Sequence, residues 1–346
     1  MKSFDYLVAE QFDAALAEYG EGNAALKAGG VDLLDLIKEG VETPETLLSI
    51  DGLDEFRYIR EERDGIHIGC LTTLADIGRN ELLKSKYAVL HHAAAEAATP
   101  QIRERATVGG NLCQRPRCWY FRQREFHCLK KGGPTCFAVE GENRYHAIFG
   151  GGPSYIVHPS NVAPALVALD GIIVVRSADS EPHPESEPSP ESEPHSESEP
   201  PGSPRRIPAV EFFVLPEQSL MRENILKPGQ VITEVIVPKP PSQSATIELR
   251  EKQSFDWPVA MACVARLDGG WRVCLGAVAP IPWLSQPAMD VLGENEITPE
   301  LAAAAGEAAV KDAEPMTDNE YKVQLVKVAT KRALLTAAGL EVPTWN

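Results

Sequence analysis

The residues with the most distinctive chemistry are cysteines, and four of the seven lie close together in the chain. Thiolates are soft ligands that bind zinc and iron–sulfur clusters. The gaps of four, nine and seven residues are wider than the spacing of most structural zinc sites and of ferredoxins. A long loop around an iron–sulfur cluster, a zinc site, and unmetallated thiols all fit this spacing. The four residues are Cys113, Cys118, Cys128 and Cys136.

Basic and aromatic residues are interleaved with these cysteines. Positive charge would offset the negative charge of a thiolate-bound cluster, and it would also suit a zinc-stabilised module that binds nucleic acid. The basic residues are Arg115, Arg117, Arg122, Arg124, Lys130 and Lys131, and the aromatic residues are Trp119, Tyr120 and Phe121. The remaining cysteines, which lie in apolar, strand-like surroundings and are predicted to be small buried hydrophobic residues, are Cys70, Cys263 and Cys274.

Two short segments contain paired glycines, KAGGVDL at 27–33 and ATVGGNL at 106–112. Paired glycines let backbone amides approach a phosphate closely, because no Cβ atom intervenes and φ is free. A hydroxyl such as that of Thr107 can donate to the same anion. Either segment alone would also suit an ordinary turn. The chain has neither a GxGxxG fingerprint after a strand nor a GxxxxGK[ST] P-loop.

The composition excludes some classes of function. A net charge of −17 argues against a protein whose main role is to bind nucleic acid or an anionic membrane, since both need a basic face. With 43% hydrophobic residues over 346, the chain can bury more than one core. No segment resembles a signal peptide or approaches a membrane span in length, so we expect a cytoplasmic protein with reduced thiols.

Local patterns predict mixed helix and strand structure. Phe4 to Leu53 is predicted as strand, helix, strand, helix, and Arg57 to Thr72 as a hairpin turning at Asp64-Gly65. Two helices are expected between Leu74 and Ala98. The other predicted elements are a helix at 163–168, strands at 171–175, 231–237 and 246–250, an antiparallel pair at 257–267 and 270–277, and terminal helices at 299–313 and 319–338.

One segment, from Ser177 to Pro204, repeats Ser, Glu and Pro and contains eight acidic residues. It cannot bury enough apolar surface to offset its chain entropy, so residues 177–204 are predicted to be a disordered insertion. Taken together, the patterns indicate an α+β protein with units at 1–55, 56–224 and 225–346. The second unit contains the cysteine loop, which we define as residues 113–154.

Several motifs in this order resemble a known family. They read KAGGVDLL (27–34), ATVGGNL (106–112), QRPRCWYFR (114–122), GENRYHAIFGG (141–151), YIVHPSNVAPAL (155–166) and KQSFDWPVA (252–260). The chain resembles the FAD-binding medium subunit of the molybdenum hydroxylases, which include xanthine dehydrogenase, carbon monoxide dehydrogenase and aldehyde oxidoreductases. It looks most similar to the branch with an additional [4Fe–4S] cluster, which includes aldehyde oxidoreductase and 4-hydroxybenzoyl-CoA reductase.

The resemblance implies a two-subdomain FAD-binding fold of the vanillyl-alcohol-oxidase (PCMH) type, followed by a small α+β C-terminal domain of the CO dehydrogenase flavoprotein type. It implies that two loops hold the FAD pyrophosphate. The family usually has Asp near the flavin where this chain has Asn161, so a carboxylate is missing there. The implied loop residues are Ala28, Gly29, Gly30, Val31, Asp32, Leu33, Thr107, Gly109, Gly110 and Asn111.

The resemblance also implies the ligands of the additional cluster. Three of them match Cys118, Cys128 and Cys136. The fourth usually stands where this chain has Ser154. Cys113 is favoured as the replacement ligand, and the alternatives are ligation by Ser154, a three-iron cluster or no cluster.

The function implied is that of an electron-transfer subunit. The implied partners are a large molybdopterin-binding subunit and a small subunit with two [2Fe–2S] clusters, and electrons pass between them and an external acceptor through FAD. Two other hypotheses are a zinc-stabilised nucleic-acid-binding protein and a free-standing flavin oxidase. The sequence contains no catalytic residue that we can assign.

Overall fold

The strands form three separate sheets. A computed structural model describes residues 1–20, 23–177, 204–252 and 255–342. The predicted insertion therefore lies outside the described residues, apart from its two end residues. The strands are β1 (Asp5–Val8), β2 (Ala24–Lys27), β3 (Thr46–Ser49), β4 (Ile59–Glu62), β5 (Gly65–Gly69), β6 (Ile172–Ser177), β7 (Arg205–Pro208), β8 (Gln230–Val237), β9 (Gln243–Leu249), β10 (Ala260–Leu267), β11 (Gly270–Gly276) and β12 (Trp283–Leu284).

The helices are mostly short. None of those in the described part of the chain is long and apolar enough to cross a membrane. They are α1 (Phe12–Gly20), α2 (Leu33–Glu39), α3 (Leu74–Arg79), α4 (Glu81–Lys86), α5 (Ala88–Ala95), α6 (Pro100–Arg103), α7 (Val108–Leu112), α8 (Trp119–Arg122), α9 (Val162–Ala168), α10 (Ala209–Phe212), α11 (Gln286–Leu292), α12 (Pro299–Ala308) and α13 (Tyr321–Ala337).

The N-terminal unit is a parallel sheet in the order β1-β3-β2, with α1 and α2 as connections. The predicted strand, helix, strand, helix order is confirmed, but the central strand β3 was not predicted. In α1 the buried residues are Phe12, Ala15 and Leu16, a spacing of three to four that gives the helix one apolar face. The loop between β2 and α2 leaves this sheet at its carboxyl end.

The second unit is an antiparallel sheet in the order β4-β5-β8-β6-β7. The predicted hairpin is confirmed as β4 and β5. Because Glu62 pairs with Gly65, its turn is Arg63-Asp64, one residue earlier than predicted. Strand β8 pairs with both β5 and β6. The sheet therefore includes a segment that a domain boundary at residue 225 would assign to the C-terminal domain.

The segment between Leu74 and Ala98 forms three helices, where two were predicted. Asn80 ends α3 in an extended conformation, and its side chain accepts a hydrogen bond of 3.0 Å from the Leu83 amide. An Asn that caps the next helix in this way divides a continuous helical pattern in two. Helix α5 then begins after Tyr87, and its Ala-rich face is buried.

The C-terminal domain contains an antiparallel sheet in the order β12-β11-β10-β9, which α13 and α11 contact directly, while α12 packs against these two helices. The predicted antiparallel pair is confirmed as β10 and β11. Both faces of β10 are buried, which explains its unbroken apolar sequence. Met261 and Cys263 belong to the larger core, which they share with the first two units, whereas Ala262 and Val264 belong to the core under the terminal helices.

Helix α9 belongs to the larger core and packs that core against the C-terminal sheet. All seven of its residues are buried, and it contacts α5 on one side and β10 and β11 on the other. The segment before α9 also crosses between the domains, because the amide of His158 donates to the Ala279 carbonyl over 2.9 Å. The His158 ring lies edge-on to Phe213, 4.7 Å between ring centroids, and is buried.

Burial lowers the pKa of His158 to about 3. An unfolded histidine titrates near 6.5, so between these values the unfolded chain binds a proton that the folded protein does not. The free energy of unfolding should therefore fall as the pH falls below 6.5, by up to about 1.4 kcal/mol per pH unit for one such group.

We expect His158→Asn to remove this contribution. Urea unfolding of the wild type and the variant between about pH 7 and pH 5 would measure the two slopes of stability against pH. The variant should show the shallower slope, and parallel slopes would contradict a buried neutral His158.

Candidate functional site

The first glycine loop, residues 28–33, follows β2 and packs directly against the segment that precedes the second glycine loop, residues 107–111. A Cβ atom at Gly29 would lie 1.7 Å from the carbonyl oxygen of Arg105, so only glycine allows this approach. Gly30 has φ +77°, which also favours glycine. The paired glycines thus bring the two loops together.

The two loops differ in the backbone amides that they offer. In the second glycine loop the amides of Val108 and Gly109 donate to the carbonyls of Thr72 and Cys70, over 2.9 and 3.0 Å. The Gly110 amide donates to the Thr107 hydroxyl oxygen over 3.2 Å. In the first glycine loop, by contrast, none of the amides of residues 29–33 donates to another residue in the described part of the chain. Backbone amides that make no hydrogen bond within the described part of the chain are therefore concentrated in the first loop.

Both loops line one cavity of about 820 Å³. This is the size range of cofactor pockets, which are about 300–1,000 Å³. Cys70, Cys113 and Lys27 also line it. Every residue predicted to hold FAD lies in its wall: Ala28, Gly29, Gly30, Val31, Asp32, Leu33, Thr107, Gly109, Gly110, Asn111 and Asn161.

Asn161 is 4% exposed and is fixed by a partner from the C-terminal domain. Its side-chain Nδ2 donates to Oε1 of Glu248 over 2.9 Å. The neighbouring Ser160 hydroxyl donates to Asn111 Oδ1 over 2.5 Å, which ties this segment to the second glycine loop. Sequence reasoning missed Glu248, since nothing in the strand pattern of β9 marks a charged residue that points into the protein.

The carboxylate of Asp32 binds the cysteine loop. It accepts from Arg117 over 2.8 Å, from Arg122 over 2.6 Å, and from the backbone amide of Arg115 over 2.7 Å. Asp32 therefore lines the cavity mainly through its backbone, while its side chain holds the cysteine loop beside the first glycine loop. The sequence pointed to a cofactor contact here and gave no indication of this second role.

Ion pairs also occupy other basic residues of the cysteine loop. Arg115 contacts Glu223 at 2.6 Å and Glu42 at 2.9 Å, and Lys130 contacts the same Glu223 at 2.8 Å. Lys130 and Glu223 are almost fully buried. Charges paired inside the protein do not form a basic face, so this arrangement does not favour the nucleic-acid hypothesis.

The four cysteines of the cysteine loop do not all lie together. Cys118 lies near Cys128 and Cys136, and it packs with Cys128 in a small apolar cluster that includes Phe121. Cys113 packs against the main core instead, beside Cys70 at the cavity. Burial raises the pKa of both Cys113 and Cys118 to about 12.

The sulfur of Cys118 lies beside the backbone of Tyr120 and Phe121 and the ring of His146. The backbone groups of Tyr120 and Phe121 lower the pKa of Cys118 and so oppose part of the effect of burial. The Phe121 amide itself donates to the Cys118 carbonyl over 3.0 Å. The ring Nε2 of His146 lies 3.2 Å from the Cys118 sulfur. His146 is 3% exposed, its Nδ1 has no partner in the described part of the chain, and burial lowers its pKa to about 4. A neutral imidazole therefore lies against the Cys118 sulfur.

The described residues of the cysteine loop do not form a mononuclear zinc site. Thiolates on one zinc ion lie about 3.8 Å apart, because each Zn–S bond is about 2.3 Å in a tetrahedron. In the described residues the only group of three potential ligands with their atoms within 4.8 Å of one another is Glu62, Asp64 and His67, on the first hairpin. Cys263 and Cys274 are fully buried, as predicted, and Cys70 is buried but also reaches the cavity.

Comparison with known families covers most of the chain. Residues 2–183 match the FAD binding domain in molybdopterin dehydrogenase, and residues 256–337 match the CO dehydrogenase flavoprotein C-terminal domain. The aldehyde oxidoreductase FAD-binding subunit PaoB of Escherichia coli (strain K12) is 32% identical over 333 residues, which cover 94% of this chain and 96% of the relative.

Further similarity is found to carbon monoxide dehydrogenase. Its medium chain from Hydrogenophaga pseudoflava is 26% identical over 347 residues, with 96% of both chains covered. A solved structure of the enzyme from that organism, lacking the Mo-pyranopterin moiety of the molybdenum cofactor, matches with a TM-score of 0.70 at 25% identity and covers 98% of each chain. The chain therefore belongs to the FAD-binding medium subunits of the molybdenum hydroxylase family and is an oxidoreductase subunit.

Proposed function

We propose that this chain passes electrons through FAD between an iron–sulfur partner subunit and an external acceptor. The observation that carries the proposal is that both glycine loops and Asn161 line one cavity. When bound, FAD supplies the ability to take up electrons singly and to release them in pairs. The protein contributes the residues that bind and orient it.

Each part of the cavity has a distinct role in this proposal. The unpaired amides of residues 29–33 and the Thr107 hydroxyl hold the pyrophosphate, because amides that donate to no other residue can turn to an anion without losing a bond. Gly29 and Gly30 let the backbone approach it closely. Asn161 contributes a side-chain contact further along the nucleotide.

The partners we propose are a large molybdopterin-binding subunit and a small subunit with two [2Fe–2S] clusters. Support comes from the relatives, which by name are subunits or chains of multi-subunit oxidoreductases. We place the complex in the cytoplasm, since all seven cysteines are free thiols. A free-standing flavin oxidase is less well supported, because the relatives are subunits of larger enzymes.

We also propose a [4Fe–4S] cluster at Cys118, Cys128 and Cys136. His146 Nε2, which lies 3.2 Å from the Cys118 sulfur, and the partly buried Arg117 and Arg122 nearby support a negatively charged group there. The placement of Cys113 beside Cys70 counts against it as the fourth ligand, although the spacing favoured it. Ser154 and His146 are the other candidates, and both are buried.

The first prediction tests the loop packing on which FAD binding depends. Gly29→Ala places a Cβ atom against the Arg105 carbonyl, so the two loops must separate. We expect a loss of FAD affinity of about tenfold or more, measured by titrating apoprotein with FAD.

Gly52→Ala is a matched control, because a Cβ atom at Gly52 would meet nothing within 4 Å. Circular dichroism of both variants would show whether the fold is retained. Equal FAD affinity in the two variants would contradict the proposed role of the first glycine loop.

The second prediction concerns iron. Anaerobically purified protein should contain roughly four irons per chain, and Cys118→Ala should lose them. Cys113→Ala should keep its iron, because Cys113 lies with Cys70 rather than with the other three cysteines.

Ser154→Ala and His146→Ala then identify the fourth ligand, because the variant that releases iron lacks it. Iron and zinc are measured by elemental analysis, with the visible absorption spectrum recorded on the same samples. Stoichiometric zinc without iron would exclude the cluster while leaving the FAD proposal intact.

A further inference from the structure

Glu248 connects the C-terminal domain to the FAD cavity. It lies on β9, at the edge of the C-terminal sheet, yet its side chain is only 4% exposed. Oε1 accepts from Nδ2 of Asn161, which lines the cavity. A charged residue on the C-terminal sheet thus determines how a residue in the cavity wall is held.

The contact fixes the orientation of the Asn161 amide. A carboxylate can only accept hydrogen bonds, so the amide must present its nitrogen to Glu248. Rotation of the amide by half a turn would place Oδ1 against a carboxylate oxygen and leave two acceptors facing each other. Oδ1 is therefore directed away from Glu248 and is available to accept a hydrogen bond from a bound nucleotide.

Glu248 is itself held in place. Its other oxygen, Oε2, pairs with the guanidinium of Arg250. Arg250 also donates to the backbone carbonyl of Glu96 over 2.7 Å. Glu248, Arg250 and Glu96 line a second cavity of about 370 Å³, and Asn161 is not part of its wall. Arg250 thus holds one oxygen of the carboxylate, while the other oxygen accepts from the Asn161 amide.

Resting on the proposed FAD function, we propose that Glu248 is a positioning residue of the FAD site. It orients Asn161 so that Oδ1 accepts from the bound flavin nucleotide. FAD affinity and the flavin midpoint potential then depend on a charge that the C-terminal domain supplies.

The pair allows a charge exchange that tests this directly. Asn161→Asp alone places two carboxylates in contact at a buried position, where their repulsion is strong. Glu248→Gln alone removes the charge that orients the amide, because a glutamine can offer either its oxygen or its nitrogen to Asn161. The double variant, Asn161→Asp with Glu248→Gln, again pairs one carboxylate with one amide.

We expect each single variant to lower FAD affinity by about three- to tenfold and the double variant to return within about threefold of the wild type. The flavin midpoint potential should shift in the single variants, whereas a merely structural role would leave the potential of the bound flavin unchanged. Affinity is measured by titrating apoprotein with FAD, and the potential by spectroelectrochemical titration of the loaded protein.

Glu251→Gln is the matched control. Glu251 lies just beyond the same strand but contacts Tyr145 and Arg144 rather than the cavity. The melting temperature of each apoprotein separates lost FAD contacts from lost stability. Additive effects of the two substitutions on affinity, or an unchanged potential in both single variants, would overturn the inference. A wild type that binds no FAD would instead overturn the proposed function itself.

Discussion

The carboxylate of Asp32 fixes the geometry on which the rest of the site depends. It joins the first glycine loop to the cysteine loop through Arg117, Arg122 and the Arg115 amide. Burial lowers the pKa of Arg117 to about 10, and the charge of Asp32 opposes that effect. A partly buried guanidinium without its partner is costly, so loss of Asp32 would release the cysteine loop as well as disturb the cavity wall.

Much of the fold could be predicted because it follows from local patterns. The turn between β4 and β5, the apolar run of β10 and the three-to-four spacing of α12 and α13 each depend only on neighbouring residues. The pairing of β8 with β5 and β6 could not be predicted in this way, since those partners are more than fifty residues away in the chain. Which strands pair depends on packing contacts throughout the core rather than on the local sequence.

In the site, too, the features that depend on local sequence could be predicted, and the contacts between distant segments could not. Both glycine pairs line the cavity, and Gly29 permits an approach to the Arg105 carbonyl that a Cβ atom would prevent. The partners of the charged residues could not be predicted, because each ion pair joins distant segments. Asp32 meets Arg122 across 90 positions, and Asn161 meets Glu248 across 87. The type of a charged residue indicates that it needs a partner but not which one.

The C-terminal domain also holds the backbone around His146 by hydrogen bonds. Lys322 on α13 donates to the carbonyls of Tyr145, His146 and Ala277, and Asn319 donates to the His146 carbonyl. These bonds fix the backbone of the segment whose imidazole reaches Cys118. The cysteine loop is therefore held on one side by Asp32 and on the other by the terminal helix.

Helix α9 has a consequence for how this protein can be divided. Its residues belong to the larger core and pack on β10 and β11 of the C-terminal sheet, so separating the two domains would expose apolar residues of α9 and one face of β10 to water. The domains should therefore unfold in a single cooperative step. The flavin region and the C-terminal domain are also poorly suited to exchange as independent modules between related proteins.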